Sequence, residues 1–111
     1  MERSFVDSVD LVIANGAVNS GTLLYPGFAD AESLTLFSVS TGDATKTYKL
    51  QISPDKGATW YDWHDGTANV TGPLPGAAST YSQPTATAMR VVASAAVSSV
   101  TTFKVTKSVV N

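Results

Sequence analysis

The sequence predicts an all-β protein, a single antiparallel β-sandwich of about seven or eight short strands. Three observations predict this class: apolar residues recur with a period of two, Thr, Val and Tyr are concentrated in the same segments, and turn residues separate those segments. The order of the strands cannot be read from one sequence. Immunoglobulin-like and jelly-roll-like topologies therefore both remain open, and an open barrel is a lesser alternative.

The first two strands are predicted from alternation and from the turns that end them. A strand over residues 4–14 is followed by Asn15 and Gly16, which tolerate the positive φ that a two-residue hairpin turn requires. A second strand over residues 18–25 ends at the turn signal Pro26–Gly27. The residues that share the core-facing side of the first strand are Phe5, Val9, Leu11 and Ile13. Residues 1–8 are also a candidate N-terminal arm, and the alternative is that they simply belong to this strand.

The next two strands occupy residues 33–40 and 46–53, with a turn at Thr41–Ala44 between them. The third strand is apolar on both faces, which is typical of a central strand in a two-layer sandwich. Its apolar residues are Leu34 and Leu36 on one face and Phe37 and Val39 on the other. The residues of the fourth strand that should point inward are Tyr48, Leu50 and Ile52.

The second half of the chain predicts a fifth strand at 59–64, a connection at 67–86 with room for one short strand, and final strands at 87–94 and 100–107. The residues expected to face the core in the last two strands are Met89, Val91, Ala93, Phe103 and Val105. We expect residues 100–107 to be an edge strand that is not blunted by charge and that could pair with a strand of a partner. A chain of 111 residues holds one modest core, and we expect a single domain over residues 1–111.

Residues 53–60, Ser-Pro-Asp-Lys-Gly-Ala-Thr-Trp, form the turn between the fourth and fifth strands. Their spacing, S-x-D-x-G-x-T-W, resembles the Asp-box, a β-hairpin turn of sialidase-type propellers. In that family the Asp and the Gly close the turn and the Trp packs beneath it, so the resemblance implies that Trp60 belongs to the core under the turn. The residues of this structural hairpin are Ser53, Asp55, Gly57, Thr59 and Trp60. The motif occurs once, whereas a propeller would repeat it in each blade.

Catalytic chemistry is not predicted. His64 is the only histidine, and although Asp62 could share its side of a strand, a single histidine at a strand end is more typical of a solvated or capped residue. Glycoside hydrolysis needs two carboxylates across a sugar, and the sialidase pattern also needs an arginine cluster, whereas this chain has only Arg3 and Arg90. We therefore expect that the protein is not an enzyme.

No metal, cofactor, nucleic acid or membrane is expected as a partner. Asp43, or Asp62 with Asp65, could offer oxygen ligands to calcium, but neither group matches an established loop spacing. The chain has no Cys, which excludes a disulfide and a thiolate metal site. A formal net charge of -2 gives no electrostatic case for nucleic acid or for an anionic membrane.

Aromatic side chains are the remaining candidates for contact with a partner, because they anchor protein interfaces and also stack on sugars. The candidate interface residues are Phe5, Tyr61, Trp63 and Tyr81. A plainer alternative is that the aromatic residues cover the second sheet or stay within the core. A sugar platform built from Tyr61, Trp63 and Tyr81 is a third alternative.

A broader resemblance spans residues 33–107. The hairpin over residues 50–62, the Gly-, Pro-, Thr- and Ala-rich connection after it and the closing strand Met89–Ala93 together resemble small virion proteins of tailed bacteriophages. Proteins of this kind include capsid decoration (cement) proteins and also neck, tail and baseplate components. A charged fraction of 14%, against about 25% in an average domain, agrees with a protein that builds contacts by shape.

The resemblance implies a non-enzymatic virion structural protein, and we expect a head decoration protein that binds the outer capsid surface and stabilises the shell. Its expected partners are the major capsid protein and further copies of itself, as a dimer or trimer. Its expected location is the capsid exterior of the virion, after assembly in the cytoplasm of the host bacterium. The alternatives are a tail, neck or baseplate component, or a carbohydrate- or receptor-binding β-sandwich module.

Overall fold

The computed structural model of the chain describes residues 3–24, 33–38, 42–64, 66–74, 76–82 and 86–110. For residues 3–7, 33–34, 81–82 and 107–110 it describes the backbone alone. Some features considered above lie outside this description: Pro26–Gly27, Val39, Asp65, and the side chains of Phe5, Leu34 and Tyr81. No helix long and apolar enough to cross a membrane occurs in the described residues.

Eight strands occur in the described part of the chain. They are β1 (Arg3–Ile13), β2 (Leu23–Leu24), β3 (Ser33–Ser38), β4 (Tyr48–Ser53), β5 (Tyr61–Asp62), β6 (Ala78–Ser82), β7 (Ala88–Ala93) and β8 (Thr101–Val110). Sheet A has the order β1-β8-β3-β6, and sheet B has the order β2-β7-β4-β5. Every pairing is antiparallel, so the prediction of an antiparallel β-sandwich is confirmed.

The strands pair in a nested order: β1 with β8, β2 with β7, β3 with β6 and β4 with β5. In the outermost pair Arg3 lies opposite Val110, and in the innermost pair Gln51 lies opposite Asp62. Two four-stranded antiparallel sheets with this order form a jelly roll. Of the topologies that the sequence leaves open, the chain therefore has the jelly-roll one.

The connections that cross between the two sheets are hydrogen-bonded to one another. The backbone N–H of Gly16, between β1 and β2, donates to the carbonyl of Val97, between β7 and β8, at 2.8 Å. Gly16 has a φ of 84°, as the sequence predicts for this turn. The prediction of a hairpin at Asn15–Gly16 is wrong, however, because β1 belongs to sheet A and β2 to sheet B. Asn-Gly specifies the backbone conformation of a turn, but not the partner of each flanking strand.

The core lies between the two sheets and follows the predicted alternation. Its buried members are Leu11, Ile13, Leu23, Leu36, Tyr48, Leu50, Met89, Val91, Ala93, Val97, Phe103 and Val105. Val9 and Ile52 are partly buried against it. The rings of Tyr48 and Phe103 meet edge to face with their centroids 5.2 Å apart, so an aromatic contact joins sheet B to sheet A at the centre of the sandwich.

The prediction that residues 100–107 form an edge strand is wrong. Residues 101–107 belong to β8, which lies between β1 and β3 in sheet A. Among the described strands, the edges of sheet A are β1 and β6, and those of sheet B are β2 and β5. A strand that is paired on both sides has no free backbone groups along its length to offer to a strand of a partner.

Residues 3–8 belong to β1, which corrects the candidate N-terminal arm over residues 1–8. Arg3 lies opposite Val110 and Ser8 lies opposite Thr106, and the register shifts between Phe5 and Ser8 as in a β-bulge. Residues 1 and 2 lie outside the description. The alternative given by the sequence, that this segment is part of the first strand, applies to residues 3–8.

Candidate functional site

The Asp-box turn, residues 53–60, is organised around the buried hydroxyl of Ser53. Its Oγ accepts the backbone N–H of Gly57 at 2.8 Å and that of Asp55 at 3.2 Å, and it donates to Asp55 Oδ1 at 2.7 Å. The same Oδ1 accepts the backbone N–H of Thr59 at 2.8 Å. The hydrogen bond from Ser53, followed by those from Thr59, holds the pKa of the Asp55 carboxyl below its usual range. One hydroxyl and one carboxylate therefore close the turn.

The tip of the turn is fixed by its backbone conformation and by hydrogen bonds with Thr87, the residue just before β7. Gly57 has a φ of 98° and Lys56 has a φ of 60°, both in the left-handed region. The backbone N–H of Lys56 donates to Thr87 Oγ1 at 2.8 Å, and that hydroxyl donates to the carbonyl of Ser53 at 3.1 Å. A Cβ at position 57 would lie 3.3 Å from Cζ2 of Trp60, so glycine is needed both for its φ and for close contact with the indole.

Trp60 lies on the outer face of sheet B, which corrects the prediction that it packs in the core under the turn. Arg90 lies between the core residues Met89 and Val91, so alternation along β7 places Arg90 on the outer face. The guanidinium carbon of Arg90 is 4.4 Å from the centre of the Trp60 ring, which puts the indole on that face as well. The reason lies in the strand period, because Trp60 is two residues before the outward-facing Asp62.

Five side chains on this face form one connected group, which we call the outer-face network: Lys49, Gln51, Trp60, Asp62 and Arg90. Arg90 Nε donates to Gln51 Oε1 at 2.8 Å, and Gln51 Nε2 donates to Asp62 Oδ1 at 2.8 Å. Lys49 Nζ donates to Asp62 Oδ2 at 3.0 Å. The backbone register explains these contacts, since Gln51 of β4 lies opposite both Arg90 of β7 and Asp62 of β5. The network is therefore built on three paired strands.

The network carries two cations and one carboxylate. Hydrogen bonds from Gln51 and Lys49 hold the pKa of Asp62 below its usual range, and burial lowers the pKa of Arg90. The side chains of Lys49 and Asp62 are 40% and 34% exposed, so this surface pair orients the carboxylate and adds little to stability. Arg90 is held from two directions, by the Gln51 amide at its Nε and by the Trp60 ring against its plane.

Sequence reasoning considered Trp60 and Asp62 singly and missed Lys49, Gln51 and Arg90 as parts of a site. A signal for them was present, because each of the three missed residues is a polar position between two apolar neighbours in its strand. Each is flanked by core residues along its strand, which predicts that it points to the outer face. The sequence does not show that β4, β5 and β7 are neighbours. Without that information nothing connects the three positions.

The candidate interface residues do not form one aromatic surface among the side chains that are described. Tyr61 on β5 is 58% exposed. Trp63 is instead partly buried against the core, and its backbone N–H donates to the carbonyl of Leu50 at 3.0 Å. The side chains of Phe5 and Tyr81 lie outside the description. A sugar platform needs exposed rings that share a plane, and Trp63 does not supply one.

His64 and Asp62 do not form a catalytic pair. His64 Nδ1 accepts the backbone N–H of Gly66 at 3.0 Å, so the ring caps a turn. The Asp62 carboxylate is bound by Lys49 and Gln51. In a Ser-His-Asp arrangement a carboxylate orients the histidine, and Asp62 is directed to other partners.

Asp43 is buried, with 3% exposure, where two connections meet at one end of the sandwich. Its carboxylate accepts backbone N–H groups from Thr45 at 2.9 Å and from Ser98 at 3.0 Å, and Lys46 Nζ lies 3.1 Å away. Hydrogen bonds from Thr45 and then Ser98 hold its pKa far below the usual range. Its own backbone N–H donates to Thr101 Oγ1 at 3.1 Å. The residue therefore joins the β3–β4 and β7–β8 connections, and the described residues contain no group of three or more His, Cys, Asp or Glu that could hold a metal ion.

A groove of about 360 Å³ borders the outer-face network at Lys49. Val92 and Ala93 contribute apolar surface to its lining, while Asn69 and Ser94 contribute polar groups. Since Lys49 belongs to both features, the groove and the network adjoin each other on the outer face of sheet B. A partner that covers the network would meet a concave surface beside it.

Comparisons with known proteins identify no family for this chain. No protein-family model matches the sequence, and no curated protein matches it. Among solved structures the chain is similar to the Yersinia pseudotuberculosis-derived mitogen (YPM), at 10% sequence identity over 99% of this chain and 87% of that chain, with a TM-score of 0.45. A likeness at this TM-score supports no conclusion about function.

Proposed function

We propose that this chain is a non-enzymatic virion structural protein, a head decoration protein that binds the outer surface of the capsid and stabilises the shell. The observation that carries the proposal is the outer-face network, in which an arginine and a tryptophan are held together on a rigid sheet. Such a surface is suited to binding a protein and has no group arranged for a reaction. The proposed partner is the major capsid protein.

The composition of the network is that of a protein interface. Arg and Trp are among the residues that most often dominate binding energy at interfaces, and here Arg90 is stacked on Trp60. Binding normally costs conformational entropy when long side chains become ordered. Arg90 is already held by Gln51 and Trp60, so less of that cost remains to be met on binding.

The fold and the sequence resemblance support the same proposal at a coarser level. Jelly rolls occur in viral capsid proteins and in lectins, among other proteins. A fold alone does not specify a function, so this support is an analogy. The resemblance of residues 33–107 to small virion proteins of tailed bacteriophages adds the capsid to the proposal.

The proposed mechanism is stabilisation by mass action. A protein that binds only the assembled shell lowers the free energy of that state, by about 2.7 kcal/mol per site when its free concentration is one hundred times its Kd. We further propose that the chain reaches the lattice as a dimer or trimer. The edge strand β1 supports self-association, since among the described strands only β8 pairs with it and none of them covers its other side.

The experiment compares shells of the major capsid protein with and without this chain. Shells that bind the protein should co-sediment with it and should rupture at a higher temperature than bare shells. Location in the particle is read from cryo-electron microscopy of labelled virions, where head density supports the proposal. Label confined to the tail, neck or baseplate, or equal rupture temperatures for bare and saturated shells, would overturn it.

A further inference from the structure

The guanidinium of Arg90 is only partly used by its neighbours. Its Nε donates to Gln51 and one face of its plane contacts Trp60. In the part of the chain that the structure describes, no oxygen accepts a hydrogen bond from its two Nη groups. These groups form the end of a planar fork, whose geometry matches the two oxygens of a carboxylate.

The carboxylate nearest in the network is already engaged. Asp62 Oδ1 accepts Gln51 Nε2 and Oδ2 accepts Lys49 Nζ, so each of its oxygens has a donor. Gln51 separates the two charges, since its amide oxygen faces Arg90 and its amide nitrogen faces Asp62. Arg90 is thus half-buried beside a neutral acceptor, while the negative charge of Asp62 is paired with Lys49.

A half-buried cation that lacks an anionic partner is poorly solvated, and an incoming anion relieves that cost. Burial is the cause of the lowered pKa of Arg90, which agrees with this picture. The network has two cations and one carboxylate, so it has an excess of one positive charge. The whole chain has a net charge of -2, which gives no long-range attraction for a polyanion such as nucleic acid. Local charge complementarity therefore favours a single acidic side chain on a protein.

We propose that the Nη edge of Arg90 receives the carboxylate of an Asp or Glu side chain from the protein partner, with Trp60 and Gln51 as positioning residues. This inference rests on the proposed function where it identifies that partner with the capsid. Trp60 fixes the plane of the guanidinium, and Gln51 fixes its rotation by holding Nε. The two Nη groups are thereby directed away from the network and toward a bound partner.

The first experiment uses the purified chain alone. The Nε–Hε signal of Arg90 is followed by ¹H–¹⁵N NMR during titration with a capped tri-glutamate peptide, with the matching tri-glutamine peptide and with inorganic phosphate. The expected result is a saturable shift with tri-glutamate, none with tri-glutamine and a smaller one with phosphate. An equal response to phosphate, or no response to tri-glutamate, would overturn the assignment of a carboxylate.

The second experiment uses capsid shells and variants that retain the fold, as checked by thermal unfolding. Arg90→Gln should weaken shell binding about 10- to 100-fold, and Arg90→Lys should restore only part of it, because an ammonium lacks the fork. The matched control is Lys104→Gln, which removes one charge from a surface pair with Asp10 on sheet A. Equal affinity of wild type and Arg90→Gln would overturn the inference and leave the proposed function standing.

The two proposals fail in distinguishable ways. If wild-type protein does not bind shells but Arg90 responds to tri-glutamate, the capsid is the wrong partner and the carboxylate site remains. If Lys104→Gln weakens shell binding as much as Arg90→Gln does, the loss reflects total charge, and the specific role of Arg90 is refuted.

Discussion

Ser53→Ala tests whether one buried hydroxyl holds the Asp-box turn together. Ser53 is 0% exposed, and its Oγ accepts the backbone N–H groups of Asp55 and Gly57 while it donates to the Asp55 carboxylate. Alanine keeps the Cβ and removes only the oxygen, so the substitution leaves no large cavity. The two backbone N–H groups lose their acceptor, and the Asp55 carboxylate loses one donor.

The size of the effect follows from the two backbone hydrogen bonds. Each contributes about 1 kcal/mol net, so their loss should lower the free energy of unfolding by about 2 kcal/mol. The bond to Asp55 is left out of this sum because water can replace the donor at an exposed carboxylate. A domain of this size loses about 4 °C or more in Tm for each kcal/mol, which gives a fall of about 8 °C or more.

The assay is urea denaturation followed by tryptophan fluorescence, since Trp60 and Trp63 both lie in or beside the hairpin. The matched control is Ser99→Ala, which removes an exposed hydroxyl and should change the free energy of unfolding by less than about 0.5 kcal/mol. If the two variants unfold at the same urea concentration, the Ser53 hydroxyl does not hold the turn and the argument from its hydrogen bonds is refuted.

Three further predictions concern the core, one turn and pH. Phe103→Ala should lower the free energy of unfolding by about 3–5 kcal/mol in urea titrations, because it empties the centre of the sandwich. Gly42→Ala should cost about 1–3 kcal/mol by the same assay, since its Cβ would lie 2.8 Å from Thr101 Cγ2 at a φ of 50°; an unchanged Tm would contradict this. Asp43 and Asp55 have lowered pKa values when folded, so their stabilisation is present at neutral pH and is lost as the pH falls through those values. Unfolding measured from pH 7 to pH 2 should show this loss, and Asp43→Asn should reduce the slope; an equally steep slope in that variant would contradict it.

The elements of the fold could be read from the sequence because they depend on neighbours along the chain. Alternation in β4 and β7 placed Leu50 and Met89 in the core correctly, and the spacing of residues 53–60 located the turn between β4 and β5. These patterns reflect the two-residue period of a strand and the φ that a turn demands. No information about other segments is needed to recognise them.

The pairing of distant strands could not be predicted, and each error of the sequence analysis follows from that. Residues 100–107 form no free edge, because β1 and β3 pair with β8 on both sides. The Asp-box resemblance places Trp60 in the core, because in that family the Trp packs beneath the turn. In the structure the guanidinium of Arg90 covers the Trp60 ring. Arg90 is 30 positions away in the sequence, and only the register of β4 and β7 brings it near.

The nested pairing of the strands also sets the order in which the strand pairs form during folding. The innermost pair, β4 and β5, is joined by one short turn, whereas the outermost pair brings residue 3 to residue 110. Closing a longer loop costs more entropy, so the hairpin should form first and the remaining pairs should add outward from it. Neither sheet can be completed before residues 88–110 have been synthesised, because β7 and β8 are internal strands of sheets B and A. During translation β1 and β2 must therefore wait unpaired for β8 and β7, whereas the pairs β3–β6 and β4–β5 can already form.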